Sequence, residues 1–542
     1  MKAVHHQSPI LGRLAGLFLT VAAASLFASP SAPEVRANGE LLTGAWVDAP
    51  VPVARFSGIP FARPPVGELR WRAPRPHIPR QGKQQATGFA PACMQDERMV
   101  DWYADVAGAF GHGPEVVKGP AGVSEDCLHL NVWTPDISVD ARLPVMVFVH
   151  GGSNKGGWSY EPNYIGQNLA AKGVVVVTIT YRLGPFGFFS HRALDNGEGK
   201  PLANFALLDI RAAFRWVQQN IGFFGGDPAN ITGFGESSGA FDLADLLLAD
   251  LDRGTGGQSL FRRLILQSIG GPARIRRTLA EEQAIGDVLA EKMGLGHEVT
   301  AQQLRQVSAE KVLNAASQLP AGHDYSAAID GKSVFRQPQE VLDRLDAARV
   351  DLIVGTNADE WLMYLAEETT PDDIEHWMTE NAPEQRQALW DLIADEQGPR
   401  RALDRLATAS RMLCPSRDLA ARVNDSGGRA WVYYFDRQRP GAGGRRLGAY
   451  HGAELPYVFD RHDDWLTTDD KDRALSAAIM DYWVRFAATG NPNGAESVNW
   501  PAYSGKSPEI LVLGDSIGTA PDDSLSLCKM LGYGPWRQGV KE

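Results

Sequence analysis

The sequence predicts an α/β fold, a mostly parallel sheet covered by helices on both faces, and three observations carry that prediction. Short apolar, β-branched runs recur along the chain, helical periodicity fills the stretches between them, and no Pro/Gly/Ser linker or internal repeat divides the 542 residues. LPVMVFVH (Leu143 to His150) and VVVVTITY (Val174 to Tyr181) are near-continuous Val/Ile/Leu runs, as expected of strands buried on both faces. NFALLDIRAAFRWVQQNI (Asn204 to Ile221) then spaces its apolar residues at helical intervals, and ANITGFG (Ala229 to Gly235) returns to strand character. AFDLADLLLAD reads as the next helix, followed by strands RRLILQS (Arg262 to Ser268), VDLIVGT (Val350 to Thr356) and RAWVYYFD (Arg429 to Asp436). Leu279 to Arg349, rich in Ala, Glu, Leu and Gln, is expected to be a helical insertion over the sheet. Strand and helix in alternation give a doubly wound layer. One domain is expected from residue 35 to residue 542.

Net charge is −12 with a pI near 5.5, and no lysine or arginine cluster reverses it, which argues against nucleic acid as a partner. Lys2, Arg13 and the charge-free run LAGLFLTVAAASLFA (Leu14 to Ala28) read as a secretory signal over residues 1–31, too short for a stable membrane span. Its removal takes two positive charges and no acid, so −12 becomes −14. Export to an oxidising compartment, secreted or periplasmic, suits the four cysteines. Of three connectivities, Cys93 to Cys127 with Cys414 to Cys528 is favoured, because it closes one local loop and ties the C-terminus back. The cysteines are too far apart for a metal cluster, and no histidine or carboxylate group has ligand spacing, so neither metal nor cofactor is expected.

The stretch GFGESSGA (Gly233 to Ala240) is the candidate centre of chemistry. Glycine fills 56 positions, so chance nearly supplies a G-x-S-x-G match, but here a strand pattern leads in and a helical pattern leads out. That context is a nucleophile elbow. Gly235 and Gly239 frame Ser237 as the nucleophile, and Ser238 offers its backbone N–H at a helix N-terminus. A serine needs a base and the base an orienting acid. Downstream, His297, His323, His376, His451 and His462 all qualify on chemistry alone.

The chain resembles the type-B carboxylesterases, the carboxylesterase and cholinesterase group of the α/β-hydrolases, over nearly its whole expected mature length. The resemblance rests on FSGIPFARPPVGELRWRAP (Phe56 to Pro74), SEDCLHLNVWTP (Ser124 to Pro135), FVHGG (Phe148 to Gly152), FGGDPANITGFGESSGA (Phe224 to Ala240), GTNADE (Gly355 to Glu360) and YHGAELPYVF (Tyr450 to Phe459). It implies the α/β-hydrolase fold, with helical insertions over the active site, and an ester hydrolase working through Ser237, His451 and Glu360, with Asp359 the rival acid. It implies an oxyanion hole from the N–H groups of Gly152, Ser153 and Ser238, with Ser153 standing where many relatives have a third glycine. Arg70 and Glu125 resemble the family's structural ion pair, Ser268 its hydrogen-bond donor behind the acid, and Glu236 its buried acid beside the serine.

Substrate choice lives in loops. Trp158, Trp361 and Tyr364 are expected to line the acyl or alcohol pocket, being next to the proposed catalytic segments. Trp102 and Tyr103 sit early in the Cys93 to Cys127 loop, before the place of the choline-binding tryptophan of cholinesterases, so a surface or packing role is expected for Trp102. Residues 101–122 read as a Gly-rich loop and give no support to a lipase. Lys155, near the oxyanion segment, raises an alternative substrate, a polycarboxylate ester such as the tricarballylate side chain of fumonisin-type toxins, removed by some bacterial members; a solvated lysine is the competing reading. An alternative of another class is a catalytically silent, cholinesterase-like adhesion protein, although all three triad positions are kept.

Overall fold

In a computed structural model, the described residues are Met1 and residues 31–195, 202–253, 259–271, 274–296, 298–320, 323–344, 350–504 and 508–533. The expected signal segment, with Lys2 and Arg13, lies outside them, as does His297. Eleven strands form the main sheet: β1 (Ala45–Val47), β2 (Val53–Pro60), β3 (His129–Thr134), β4 (Leu143–Val149), β5 (Val175–Ile179), β6 (Gly226–Glu236), β7 (Arg263–Gln267), β8 (Asp351–Asn357), β9 (Arg429–Phe435), β10 (Glu509–Leu513) and β11 (Ile517–Pro521). Their spatial order is β11-β10-β9-β8-β7-β6-β4-β5-β3-β2-β1. Every pairing from β5 across to β10 is parallel, and both edges are antiparallel. From Pro33 onward the chain forms one compact unit.

The parallel strands β4 to β9 are those the apolar runs predicted, because strands covered on both faces must be apolar throughout, whereas β10, parallel to β9, was missed. The missed strands lie towards the edges, and β3 shows why. Its Asn131 is buried, yet it accepts from the Gly58 N–H at 3.0 Å and donates to Ser159 and Thr178 hydroxyls at 3.0 and 3.1 Å. A buried amide of this kind is tolerated only when distant partners satisfy it, and those partners are invisible in a local sequence window.

The segment after residue 279 is less helical than expected. Helices span Leu279–Lys292, Ala301–Gln306, Ala309–Ala316 and Pro338–Leu342, the first two opened by capping boxes, with irregular chain between. This segment packs with Trp71, Phe186 and Phe205 into an apolar cluster of its own. It reaches the sheet's C-terminal end through Asp324 to Ser326.

Both disulfides have the expected pairing, Cys93 with Cys127 and Cys414 with Cys528, at separations of 34 and 114 residues. On a chain-entropy basis such loops stabilise by about 4 and 5 kcal/mol. Arg70 and Glu125 form a two-pronged ion pair, Nε to Oε2 at 2.6 Å. No helix among the described residues is long and apolar enough to cross a membrane.

Candidate active site

The register of the parallel strands collects the chemistry at one end of the sheet. Val149 of β4 pairs with Gly235 of β6, and Gln267 of β7 with Gly355 of β8, so the segments leaving these tips are neighbours. Between β6 and helix α1 (Ser238–Asp252), Ser237 makes the turn with φ 54° and ψ −125°. A side chain is strained there, and the turn persists because the flanking packing admits no alternative. A Cβ at Gly235 would lie 2.8 Å from the Val149 carbonyl oxygen, and one at Gly239 only 2.1 Å from it. Both positions therefore have to be glycine.

The segment after β4 turns back over this elbow. Gly152 has φ 102°, and a Cβ there would meet the Gly156 carbonyl oxygen at 2.2 Å. Ser153 and Asn154 follow with φ 58° and 56°. Ser153 thus adopts the left-handed conformation a glycine would favour, at a cost of about 1 to 2 kcal/mol. Asn154 holds the turn: its amide nitrogen donates to Asp242 Oδ1 and to the Tyr325 carbonyl at 3.2 and 3.1 Å. The Asn154 N–H donates to Ser238 Oγ at 3.1 Å. That bond gives the second serine of GESSG a duty of its own, tying the Gly152–Ser153 turn to the start of α1.

His451 spans the remaining gap. Its Nε2 is 2.9 Å from Ser237 Oγ and its Nδ1 is 2.6 Å from Glu360 Oε2. Glu360 is fully buried, and its other oxygen accepts from Ser268 Oγ at 2.6 Å and the Asn357 N–H at 2.8 Å. Asp359 points elsewhere, accepting from the Ala449 N–H at 2.8 Å and pairing with Arg401 at 3.1 Å. Of the other candidate bases, His462 bonds Ser476, His376 pairs with Glu380, and His323 packs on Tyr325. Glu454 braces the site from below, accepting from Gln267 at 3.0 Å and Asn357 at 2.6 Å.

Glu236, also buried, lies with Oε1 3.2 Å from His451 Nε2. Burial pushes its carboxyl up to about 8, against the pull of the imidazole. Burial alone would lower His451, but Glu236 and Glu360 together raise it to about 10. The two groups titrate as one coupled site. With Glu236 neutral, its pull on the imidazole vanishes, which favours the neutral, proton-accepting form of His451. Because the folded value of Glu236 lies above its ordinary 4.5, its stabilising contribution is complete below that pH and is lost as pH rises through about 8. Glu236→Gln, which cannot ionise, is therefore expected to flatten the fall in unfolding free energy between about pH 4.5 and 8. Urea unfolding across that range checks it, and a profile identical to the wild type would remove Glu236 as the holder of the proton.

The model of the carboxylesterase family matches residues 31–522. The chain belongs to the carboxylesterase family. It is 34% identical to the para-nitrobenzyl esterase of Bacillus subtilis (strain 168) over 484 residues, 86% of this chain and 92% of that one. It is 34% identical to the fumonisin B1 esterase of Sphingopyxis macrogoltabida over 490 residues, 86% and 84% of the two chains. A solved Geobacillus stearothermophilus carboxylesterase superposes with a TM-score of 0.78 at 28% identity, covering 92% of this chain and 99% of that one. The α/β-hydrolase fold and the hydrolysis of carboxylic esters, of which small-molecule esters are the substrates, are thereby established, and the silent adhesion reading falls away.

In this esterase two lobes of one cavity meet at Ser153, Ser237, Tyr364 and His451. The smaller, about 180 Å3, is walled by Met99, Trp102, Tyr103 and Leu455. Four expectations about its surroundings need correction. Residues 101–122 are not wholly a loop, because a helix, Arg98–Ala109, brings Met99, Trp102 and Tyr103 onto the site at helical spacing. Trp102 is a wall of the cavity, its indole N–H donating to Tyr364 Oη at 3.1 Å, and it lies beneath Gly452 next to His451. Trp158 is 1% exposed and packs in a cluster with Tyr103 and Ala92, behind the cavity wall. Lys155 turns away as well, donating to the His323 carbonyl at 2.8 Å and bordering a separate hollow. Trp361 and Tyr364 line the larger lobe, about 410 Å3.

Proposed function

We propose that Ser237, His451 and Glu360 are the catalytic triad of this ester hydrolase, acting through an acyl-enzyme. The observation that supports this most is the unbroken relay from Ser237 Oγ through the imidazole to a carboxylate whose second oxygen already carries two donors. Ser237 Oγ attacks the ester carbonyl carbon while its proton passes to His451 Nε2. The N–H groups of Gly152, Ser153 and Ser238 receive the charge that develops on the carbonyl oxygen, each such donor stabilising the transition state by about 3 to 4 kcal/mol. The carbon–oxygen bond to the alcohol then breaks, and the alcohol leaves with the proton from His451. Water attacks the acyl-enzyme, giving its proton to His451, which returns it to Ser237 as the acid departs. No metal or cofactor takes part in this scheme.

Residues 1–31 are read as an export signal, placing the mature enzyme outside the cytoplasm, and residues 35–542 as one catalytic domain. The two disulfides support an oxidising destination. A serine-directed alkyl phosphonate is expected to add once per chain, at Ser237, with turnover of a para-nitrophenyl ester lost in proportion to the adduct found by peptide mass spectrometry. An adduct on Ser238, or turnover persisting in fully modified protein, would overturn the triad.

A further inference from the structure

The larger lobe of the cavity is lined by three guanidinium groups, those of Arg274, Arg276 and Arg411, within the same enclosure as Ser237 and His451. They are not equivalent. Arg276 is 2% exposed, stacked at 4.1 Å over Phe241 and neutralised by Asp245 at 2.7 Å. Arg274 and Arg411 are exposed to the cavity, and among the described residues neither has a carboxylate at ion-pair distance. The one acid lining this lobe above the triad, Asp324, is bound to Arg277 at 2.6 Å. Desolvation and the like charges of Arg276 and Arg411 push Arg274 down by more than the nearby Asp324 offsets.

Both arginines lie against aromatic rings. Arg411 lies over the Trp361 ring at 4.7 Å, on a π-helical turn, Ala409–Leu413, an irregularity found frequently at functional sites. Three residues on, Cys414 anchors that turn to Cys528, and the Tyr533 hydroxyl donates to the Ser410 carbonyl at 3.1 Å. The Arg274 N–H donates to the Gly271 carbonyl at 3.1 Å, and its guanidinium is 6.0 Å from the Phe241 ring. Phe241 and Ser238 belong to one helix, which places Arg274 near the elbow. Two planar donors, each against an aromatic ring and with no carboxylate partner among the described residues, beside an ester-cleaving serine, have the chemistry that receives a carboxylate through charge-assisted hydrogen bonds.

We infer that Arg274 and Arg411 form a carboxylate subsite, so that the preferred substrate is an ester carrying an ionised carboxylate on one side of the scissile bond, the other side lying in the Trp102 lobe. This rests on Ser237 being the nucleophile. The esters that suit it are half-esters of dicarboxylic or tricarboxylic acids and esters of hydroxy acids. Lys155 plays no part.

The test is a matched set of esters on the full-length enzyme: the para-nitrophenyl half-ester of glutaric acid against its methyl-capped diester, with release of acetate from acetylated 3-hydroxybutyrate against its methyl ester for a carboxylate on the alcohol side. In at least one pair kcat/KM is expected to favour the free carboxylate by about tenfold to hundredfold. Arg274→Gln and Arg411→Gln should each reduce that ratio severalfold, chiefly through KM, and Arg411→Lys should restore part of it, which a purely structural loss of Arg411 would not show. Added salt should also narrow the ratio. Neutral esters favoured in both pairs, with ratios indifferent to the substitutions, would overturn the subsite while leaving the triad standing. Loss of the triad itself would appear separately, as turnover of every ester surviving Ser237→Ala.

Discussion

Ser237→Ala is expected to lower kcat for ester hydrolysis by roughly 10^6-fold, the loss typical when a triad serine is removed. The residue cannot be replaced by its neighbour. Ser238 is the first residue of helix α1, and its hydroxyl accepts the Asn154 N–H instead of facing His451. Folding should be nearly unaffected, with a change in unfolding free energy below about 1 kcal/mol, because the Ser237 side chain is half-buried and alanine carries the same Cβ into the same strained turn. Steady-state kinetics together with a urea titration check both halves. Substantial turnover by the folded variant would remove Ser237 as the nucleophile.

Glu360→Gln is expected to cost about 10^4-fold in kcat, out of proportion to a change of one atom. The reason lies in how the carboxylate is held. One oxygen accepts from Ser268 Oγ and the Asn357 N–H, so a glutamine would place its carbonyl oxygen there and turn its NH2 toward His451 Nδ1. Nδ1 would then have to accept, the imidazole proton would move to Nε2, and Nε2 could no longer take the proton of Ser237. Glu360→Asp, which keeps the charge and shortens the reach, should retain more activity than Glu360→Gln. Pre-steady-state acylation measured for both variants checks this, and equal losses would point to geometry instead of the tautomer. The two predictions are linked, because residues of one relay do not contribute additively, and the double variant should be little slower than Ser237→Ala alone.

Much of this site is legible locally. A nucleophile elbow needs small residues two before and two after the serine, and the backbone contacts at Gly235 and Gly239 are the physical cause of that pattern. The parallel strands are legible for a similar reason, since burial on both faces leaves little room for polar residues. Choosing His451 over His323, His376 and His462 took the family motif, because a histidine's reactivity depends on what folds against it. The helix carrying Trp102 was hidden by the glycines and small residues around it, although Met99, Trp102, Tyr103 and Val106 lie at helical spacing and were the available signal. The Arg274 and Arg411 pair had no signal at all, being 137 positions apart in the chain.

The sequence by itself determined the fold class and the elbow around Ser237, because each depends on short-range periodicity or on steric demands within a few residues, and it favoured the Cys93–Cys127 and Cys414–Cys528 pairing that the structure then showed. Only the tertiary structure decided that Lys155 and Trp158 face away from the cavity, that Trp102 walls it, and that two unpartnered arginines open onto it. Those outcomes depend on which way a side chain leaves the backbone and on which remote segment meets it. Such contacts are set by the packing of the whole sheet and its crossovers, and no local stretch of chain encodes them.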